Sequence, residues 1–502
     1  MRSFAPGEVV LLPGVTVAAH ETSGTVSDPQ EAGPGGVRGG GPPVGLDADD
    51  AARLDAALER TGLRLDLTLT FEDLQSTAAP AIGVRAEAQP PRLDVTVPFP
   101  DRPDEGQVLL EVDGAGVLRW HIAEPAGGAG PAVRGPGDGQ TFAVPVEQYE
   151  LRTGPATQRG LLDFGRRKIL HLLRFPIEWA AGRVAASLAR RWEERNRPYG
   201  LWDAGAGYFD PTARSGLSMV DADWFRGADD PVLLLVHGTF SVGHSGFAGL
   251  AADADAMGRL LKRYQGRILV FDHPTLHERP VDNVAWLLRR LPADRPVRLD
   301  VVAHSRGGLV SRVLSDPGVA AAAGRPVPVI ERLVHVAVPN AGTVLARTDK
   351  LRALLDVVTN LATLFLDDAT GTVVDVVLEI VKDLATGAHQ GLPGIAAMSP
   401  DGDWLTALNA GPRPGSTRVF AATTDFDPGD GAALPLRALD GLVDLLFAAP
   451  NDLVVPTEGV YRAGRYIVDE PFHVVGGPPF TAHTGFFGHP QVRERIVGWL
   501  GG

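Results

Sequence analysis

From about residue 216 to the C-terminus, short β-branched runs alternate with helical stretches, and this alternation constrains the fold more than any other feature of the chain. The runs lie at 232–236, 267–271, 298–303, 332–338, 418–423 and 465–469. They are short and nearly continuous in apolar residues, the pattern of strands buried on both faces. Strand, helix, strand repeated in this way implies a mostly parallel sheet covered by helices on both sides. The fold class expected for residues 216–502 is therefore α/β.

Upstream the period changes. Leu63, Leu65, Leu67 and Leu69 alternate with Arg64, Asp66, Thr68 and Thr70, and similar runs recur at 93–97, 107–112, 117–122 and 141–146. Period-two alternation marks half-buried strands, and Asp113-Gly114 between two of the runs is a hairpin signal. Residues 51–150 are expected to form a small antiparallel β domain of sandwich type, opened by a short helix at 51–60. Residues 1–50 are expected to be a flexible extension: one strand at 9–12, then a linker rich in glycine and proline at 24–45.

Residues 151–215 read as a basic helical linker. Within 151–200, eleven Lys or Arg stand against four acids. Two helices split at Pro176 are expected, the second carrying Ile177, Ala181, Val184, Ala185, Leu188 and Trp192 on one face. That face suits either docking on a neighbouring domain or peripheral contact with an anionic lipid interface through residues 161–195.

Composition narrows the function classes. A net charge of −14 argues against general nucleic-acid binding. The absence of cysteine excludes disulfides, thiolate metal sites and cysteine nucleophiles. The most apolar run, 372–381, is interrupted by Asp375 and Glu379, and Pro6, Gly7 and Glu8 break the N-terminal segment. Neither a membrane span nor a signal peptide is expected, and the expected compartment is the cytoplasm.

The chemistry concentrates at 299–308, LDVVAHSRGG. Ser305 follows an apolar strand and precedes a helix, flanked two residues each way by the small Ala303 and Gly307, which a tight strand–turn–helix elbow requires. The helix N-terminus behind it favours developing negative charge. The competing reading is an ordinary helix N-cap serine. Upstream, PVLLLVHGTFS (231–241) ends an earlier strand at His237-Gly238-Thr239. There the backbone N–H of Thr239, with that of Arg306, forms a candidate two-donor oxyanion site; a simple strand-ending turn is the alternative.

These segments together resemble the α/β-hydrolase superfamily, in its lipase and esterase branch. The matching pieces are VHGTF (236–240), FDHPT (271–275), AHSRGG (303–308), HVAVPNAGT (335–343), NDLVVP (451–456) and HTGFFGHPQV (483–492). The resemblance covers residues 216–502, and Ala303 stands where the family usually has glycine. It implies the chain order nucleophile, acid, histidine, so both partners of Ser305 lie downstream. His483, on a loop before the last helix, is the base it selects; His335, His389, His473 and His489 are the other histidines downstream. Asp452 is the favoured acid, with Asp425 and Asp427 as alternatives past the strand at 418–423. Asp272, His273 and His277 raise a metal site, but their spacing is not that of a helical zinc pair, and a loop-orienting role fits better.

Residues 344–415 form an insert with two apolar-faced helices, carrying Leu351, Leu354, Leu355 and Val358, then Val373, Val376, Val377 and Ile380. The resemblance implies a cap or lid there, with Phe365, Leu366 and Met398 as candidate pocket liners; plain core packing is the alternative. The function implied is a serine hydrolase acting on carboxylic esters with apolar or lipid-like acyl groups, with no cofactor or metal. Amidase, thioesterase, acyltransferase and a non-catalytic binding module stay open as alternatives. The expected partner is a small-molecule or lipid ester and not a nucleic acid; a protein partner for the N-terminal domain is not assigned.

Overall fold

The computed structural model describes residues 1–31, 48–76, 91–123, 139–146, 166–177, 188–226, 230–365, 371–385, 392–411, 416–429, 432–474 and 481–501. The chain forms two compact units, one of residues 1–189, 355–390 and 428–443, the other of residues 190–354, 391–427 and 444–502.

The first unit is an antiparallel sandwich. Its elements are β1 (Arg2–Phe4), β2 (Val9–Leu12), β3 (Val15–His20), β4 (Thr22–Val26), β5 (Gln30–Glu31), α1 (Ala48–Arg60), β6 (Arg64–Ser76), β7 (Arg92–Val97), β8 (Glu105–Asp113), β9 (Leu118–His121), β10 (Gln140–Pro145) and β11 (Lys168–Pro176). One sheet runs β1-β4-β6-β11-β8-β9, with β5 also on β6; the other runs β10-β7-β3-β2. Val17, Leu69, Phe71, Val95, Phe142 and Leu170 meet between them as one core.

Three expectations are corrected here. Residues 1–31 are not a flexible extension: they supply five strands, and the linker expected from residue 24 begins within β4. Residues 32–47 lie outside the described residues. Residues 168–176 are not part of a helix. Lys168, Leu170 and Leu172 alternate with Ile169 and His171, and β11 pairs antiparallel with both β6 and β8, so the period of two outweighs the basic composition. Of the expected amphipathic helix, only Leu188–Asn196 is helical among the described residues; 178–187 lie outside them.

The third correction concerns the expected cap. Its helices, Leu351–Phe365 and Gly371–Ala385, give residues 355–390 to the first unit. Gly371–Ala385 packs on α1 and β8, which is why β8 is buried on both faces. Asp356, Thr359 and Asn360 share one face of their helix and act as a further strand beside edge strand β9. Asn360 Oδ1 accepts from Leu118 N at 2.9 Å and its Nδ2 donates to Leu118 O at 2.8 Å. Trp120 N donates to Asp356 Oδ1 at 2.8 Å and the Trp120 indole to Thr359 Oγ1 at 3.0 Å. Gly371–Ala385 thus packs within the first unit, and the polar face of Leu351–Phe365 lines edge strand β9. Of the candidate pocket liners, Leu366 lies outside the described residues.

The second unit is built on a sheet of seven strands among the described residues. After α2 (Leu188–Asn196) come β12 (Gly200–Asp203), β13 (Val232–Val236), α3 (Ala254–Arg263), β14 (Ile268–Asp272), α4 (Pro280–Leu288), β15 (Arg298–His304), α5 (Arg306–Val313), β16 (Val329–Val336), β17 (Arg418–Thr424), β18 (Glu470–Val474) and α6 (Pro490–Trp499). The order is β12-β14-β13-β15-β16-β17-β18, parallel except for β12, which runs antiparallel to β14. The sheet therefore begins at residue 200, inside what reads from sequence as linker. Chain order reverses at β13, whose neighbours β14 and β15 lie on opposite sides, so the C-terminal ends of β13 and β15 open a crevice at a topological switch point. No helix among the described residues is long and apolar enough to cross a membrane.

In the sandwich, Glu111 is fully buried between Lys168, which pairs with its Oε1, and His121, whose Nε2 lies 2.7 Å from its Oε2. Burial alone pushes the Glu111 carboxyl up, but Lys168 and His121 outweigh it and hold it far below the usual carboxylate range. A lowered folded-state pKa means that the pair's stabilisation is present above the unfolded carboxylate range and is lost as pH falls through and below it. Lys168→Met leaves a buried carboxylate that has lost its cationic partner and keeps only the His121 hydrogen bond, and is expected to cost about 3–5 kcal/mol at pH 7. Chemical denaturation should show that deficit shrinking toward pH 4, where Glu111 of the variant takes up a proton; a deficit independent of pH would contradict the assignment.

Candidate active site

Ser305 occupies the N-cap position of α5, yet its side chain makes no capping bond. Its backbone sits at φ +51°, ψ −131°, a sparsely populated conformation for a residue with a Cβ, costing on the order of 1–3 kcal/mol. Close packing holds it there. A Cβ on Gly307 would meet the carbonyl oxygens of Val236 and His237 at 2.4 Å, so only glycine lets the start of α5 lie against the end of β13. A Cβ on Gly238 would be 2.6 Å from Ser305 Cβ, which brings the His237-Gly238-Thr239 turn directly beside the serine.

Freed from capping, Ser305 Oγ lies 2.9 Å from His483 Nε2, and His483 Nδ1 lies 2.8 Å from Asp452 Oδ2. A carboxylate only accepts, so Nδ1 carries the imidazole proton and Nε2 is left to accept from the serine hydroxyl. Asp452 is itself fixed. Its Oδ1 accepts from Val454 N at 3.0 Å and Val455 N at 2.7 Å, and its backbone oxygen accepts from His483 N at 3.0 Å. Leu453, next in the chain, takes φ +78° to close this turn. All three side chains are buried.

The other sequence candidates lie elsewhere. Asp425 is exposed and accepts from Asn451 N at 3.2 Å; partial desolvation by its neighbours, with the Asp444 and Asp427 carboxylates, pushes its pKa up, and Asp427 is exposed. His335 is buried between Ser311 and Asn340, and desolvation pulls its pKa down to about 3. His473 is exposed on β18, and His489 sits at the N-cap position of α6. His389 lies outside the described residues.

Arg306 holds the first position of α5, where backbone N–H groups have no partner inside the helix. Its side chain, which sequence reasoning did not use, is fully buried. Nε donates to Gly394 O at 2.9 Å and Nη2 to Asn283 Oδ1 at 3.0 Å, and desolvation pulls the guanidinium down to about 10. Thr239 is half-buried, its Oγ1 3.8 Å from Met398 Sδ. His237 Nδ1 donates to Gly238 O at 2.9 Å and its Nε2 accepts from His273 N at 3.2 Å, so His237 pins the turn from below.

The residues considered for a metal have structural partners. His277 Nδ1 donates to Glu193, which is buried and also accepts from Thr275, Leu276 N and His277 N. The His273 ring stacks between His237 and Phe271, and Asp272 accepts from Tyr208 and from Gly243 N. Among the described residues, no group of three or more His, Asp or Glu could hold a metal ion. His304, like the Arg306 side chain, was passed over by sequence reasoning; its signal was its place inside AHSRGG.

A family model described as "Domain of unknown function (DUF7379)" matches residues 196–501, and the chain belongs to that family. Among solved structures, lipase 1 from Pelosinus fermentans is 15% identical over 54% of this chain and 98% of its own, at a TM-score of 0.36. Phospholipase PlaB from Legionella pneumophila is 14% identical over 54% of this chain and 60% of its own, at 0.32. The enol-lactonase from Burkholderia xenovorans is 17% identical over 56% of this chain and 94% of its own, at 0.28. No curated protein matches the sequence.

The elbow packing has a direct test. Gly307→Ala forces its methyl into two backbone carbonyls and is expected to lower stability by about 1–3 kcal/mol, the usual range for overpacking. Gly258→Ala, on α3 with nothing within 4 Å of the new methyl, should be neutral or stabilising by up to about 1 kcal/mol. Equal melting shifts in the two variants would contradict the close approach.

Proposed function

We propose that this member of the DUF7379 family is a serine hydrolase of the α/β-hydrolase type, cleaving carboxylic esters with apolar acyl groups. The observation that carries the reading is that Ser305 gives up its helix cap and lies 2.9 Å from a histidine that is itself 2.8 Å from a buried carboxylate.

In this reading His483 Nε2 takes the Ser305 proton as Oγ attacks the ester carbonyl. The carbonyl oxygen becomes an oxyanion and accepts from the backbone N–H groups of Thr239 and Arg306. Collapse of that intermediate breaks the ester C–O bond, and the imidazolium returns its proton to the departing alcohol. Water, deprotonated by His483, then attacks the acyl-enzyme and releases the carboxylic acid and free Ser305. Asp452 holds the Nδ1–H tautomer and stabilises the imidazolium without itself taking the proton. Met398 beside Thr239, and buried Phe240 next to it, support an apolar acyl group at the oxyanion turn.

The test is turnover of p-nitrophenyl esters of increasing acyl length, with matched thioester and amide substrates. Ester turnover that rises from acetate to longer chains is expected. Ser305→Ala and Asp452→Asn should each lower kcat by about 10,000-fold or more. Turnover that survives Ser305→Ala would overturn the reading, and faster cleavage of the amide or thioester would move it to those substrates.

A further inference from the structure

His304 precedes the serine and makes no bond to it, yet it touches the parts on either side of it. Its Nε2 donates to the backbone oxygen of His483 at 2.9 Å. Its ring lies 5.1 Å from the His483 ring and 5.7 Å from Phe487, which it meets edge to face. Its Nδ1 is buried without a hydrogen-bond partner and faces the oxyanion turn, 3.2 Å from where a Cβ on Gly238 would stand. The side chain is therefore built into the strand β15 end, the His483 loop and the Gly238 turn at once.

The bond to His483 O is long in sequence and short in space: the partners are 179 residues apart. The loop that carries His483 follows residues 475–480, outside the described set, and is tied back by two kinds of bond. Asp452 holds it from one side, through both the backbone N–H and Nδ1 of His483. His304 holds it from the other, through the His483 carbonyl. We propose that His304 is the positioning residue for the general base, fixing the His483 backbone so that Nε2 stays within reach of Ser305 Oγ. This rests on the hydrolase reading above. A donor on Nε2 requires the neutral ring or the imidazolium, and burial, together with the neighbouring His483, holds His304 neutral, down to a pKa of about 3. Its tautomer is Nε2–H, because the His483 carbonyl can only accept.

The geometry separates positioning from filling space. His304→Phe keeps a ring against Phe487 and removes the donor, leaving the His483 carbonyl buried and unpaired. His304→Gln places an amide N–H near the position of Nε2, whereas His304→Asn places one near Nδ1. Steady-state kinetics on an ester that the wild type turns over, with Ser305→Ala alongside, tests the proposal in the full chain. Displacing a base by a fraction of its hydrogen-bond length costs up to roughly 100-fold in rate. The expected result is a fall in kcat of roughly 10- to 100-fold for His304→Phe, with KM within about threefold of wild type, and recovery by His304→Gln but not by His304→Asn. If His304→Phe does not fold, the contrast between Gln and Asn variants still decides. Wild-type kcat in His304→Phe, or Gln and Asn variants that are equally impaired, would overturn the positioning role. Loss of turnover in Ser305→Ala together with unaffected His304 variants would reject this inference alone; turnover that survives Ser305→Ala would reject the hydrolase reading beneath it.

Discussion

The site depends on one close approach: the first turn of α5 lies against the end of β13 with only the hydrogen of Gly307 between them and two carbonyl oxygens. That contact is possible because β13 and β15 are hydrogen-bonded neighbours in a parallel sheet whose strands are buried on both faces. It pins the backbone of Ser305 at positive φ, and the strain turns the hydroxyl away from the helix that it would otherwise cap. The energy of that strained residue is offset by the packing of Leu309, Val310 and Val313 on the same helix, all buried.

From the elbow outward, each further group is fixed by bonds to backbone as well as to side chains. Asp452 is locked by its own turn, His483 by Asp452 and His304, and the His237-Gly238-Thr239 turn by the two ring nitrogens of His237. Under the proposed hydrolase reading, a site held in this way would need little reorganisation as charge develops. Arg306 and Glu193 extend the same design below the surface. Each is a buried ionic group spread over several donors or acceptors, and together they tie α4, α5 and the loop at 273–278.

Much of this was legible in the sequence, because the signals were local. Ala303, Ser305 and Gly307 at fixed spacing after an apolar run have the small flanks that a tight elbow requires, and NDLVVP and the loop at 481–489 carry their residues in the order the resemblance implies. What was not legible depended on distant partners. The 168–176 segment looked basic and helical in composition, yet its alternation matched vacant edges on β6 and β8, which no local window contains. The strands of residues 1–31 are short and glycine-rich at their turns, and only pairing with β6 and β7 makes them strands. The helices at 351–365 and 371–385 have the apolar faces that a lid would have; the sequence could not say that Asp356, Thr359 and Asn360 stand on the edge of β9. His304 was missed for the same reason, since its partner lies 179 residues away.

In the proposed reaction Ser305 Oγ attacks a carbonyl whose oxygen is received by the backbone N–H groups of Thr239 and Arg306. A crystal structure of the protein treated with an alkyl fluorophosphonate tests it in one step. The expected result is a phosphonyl adduct on Ser305 Oγ, with its free oxygen about 2.7–3.1 Å from both Thr239 N and Arg306 N. An unmodified Ser305, or an adduct whose oxygen points away from those two amides, would contradict it.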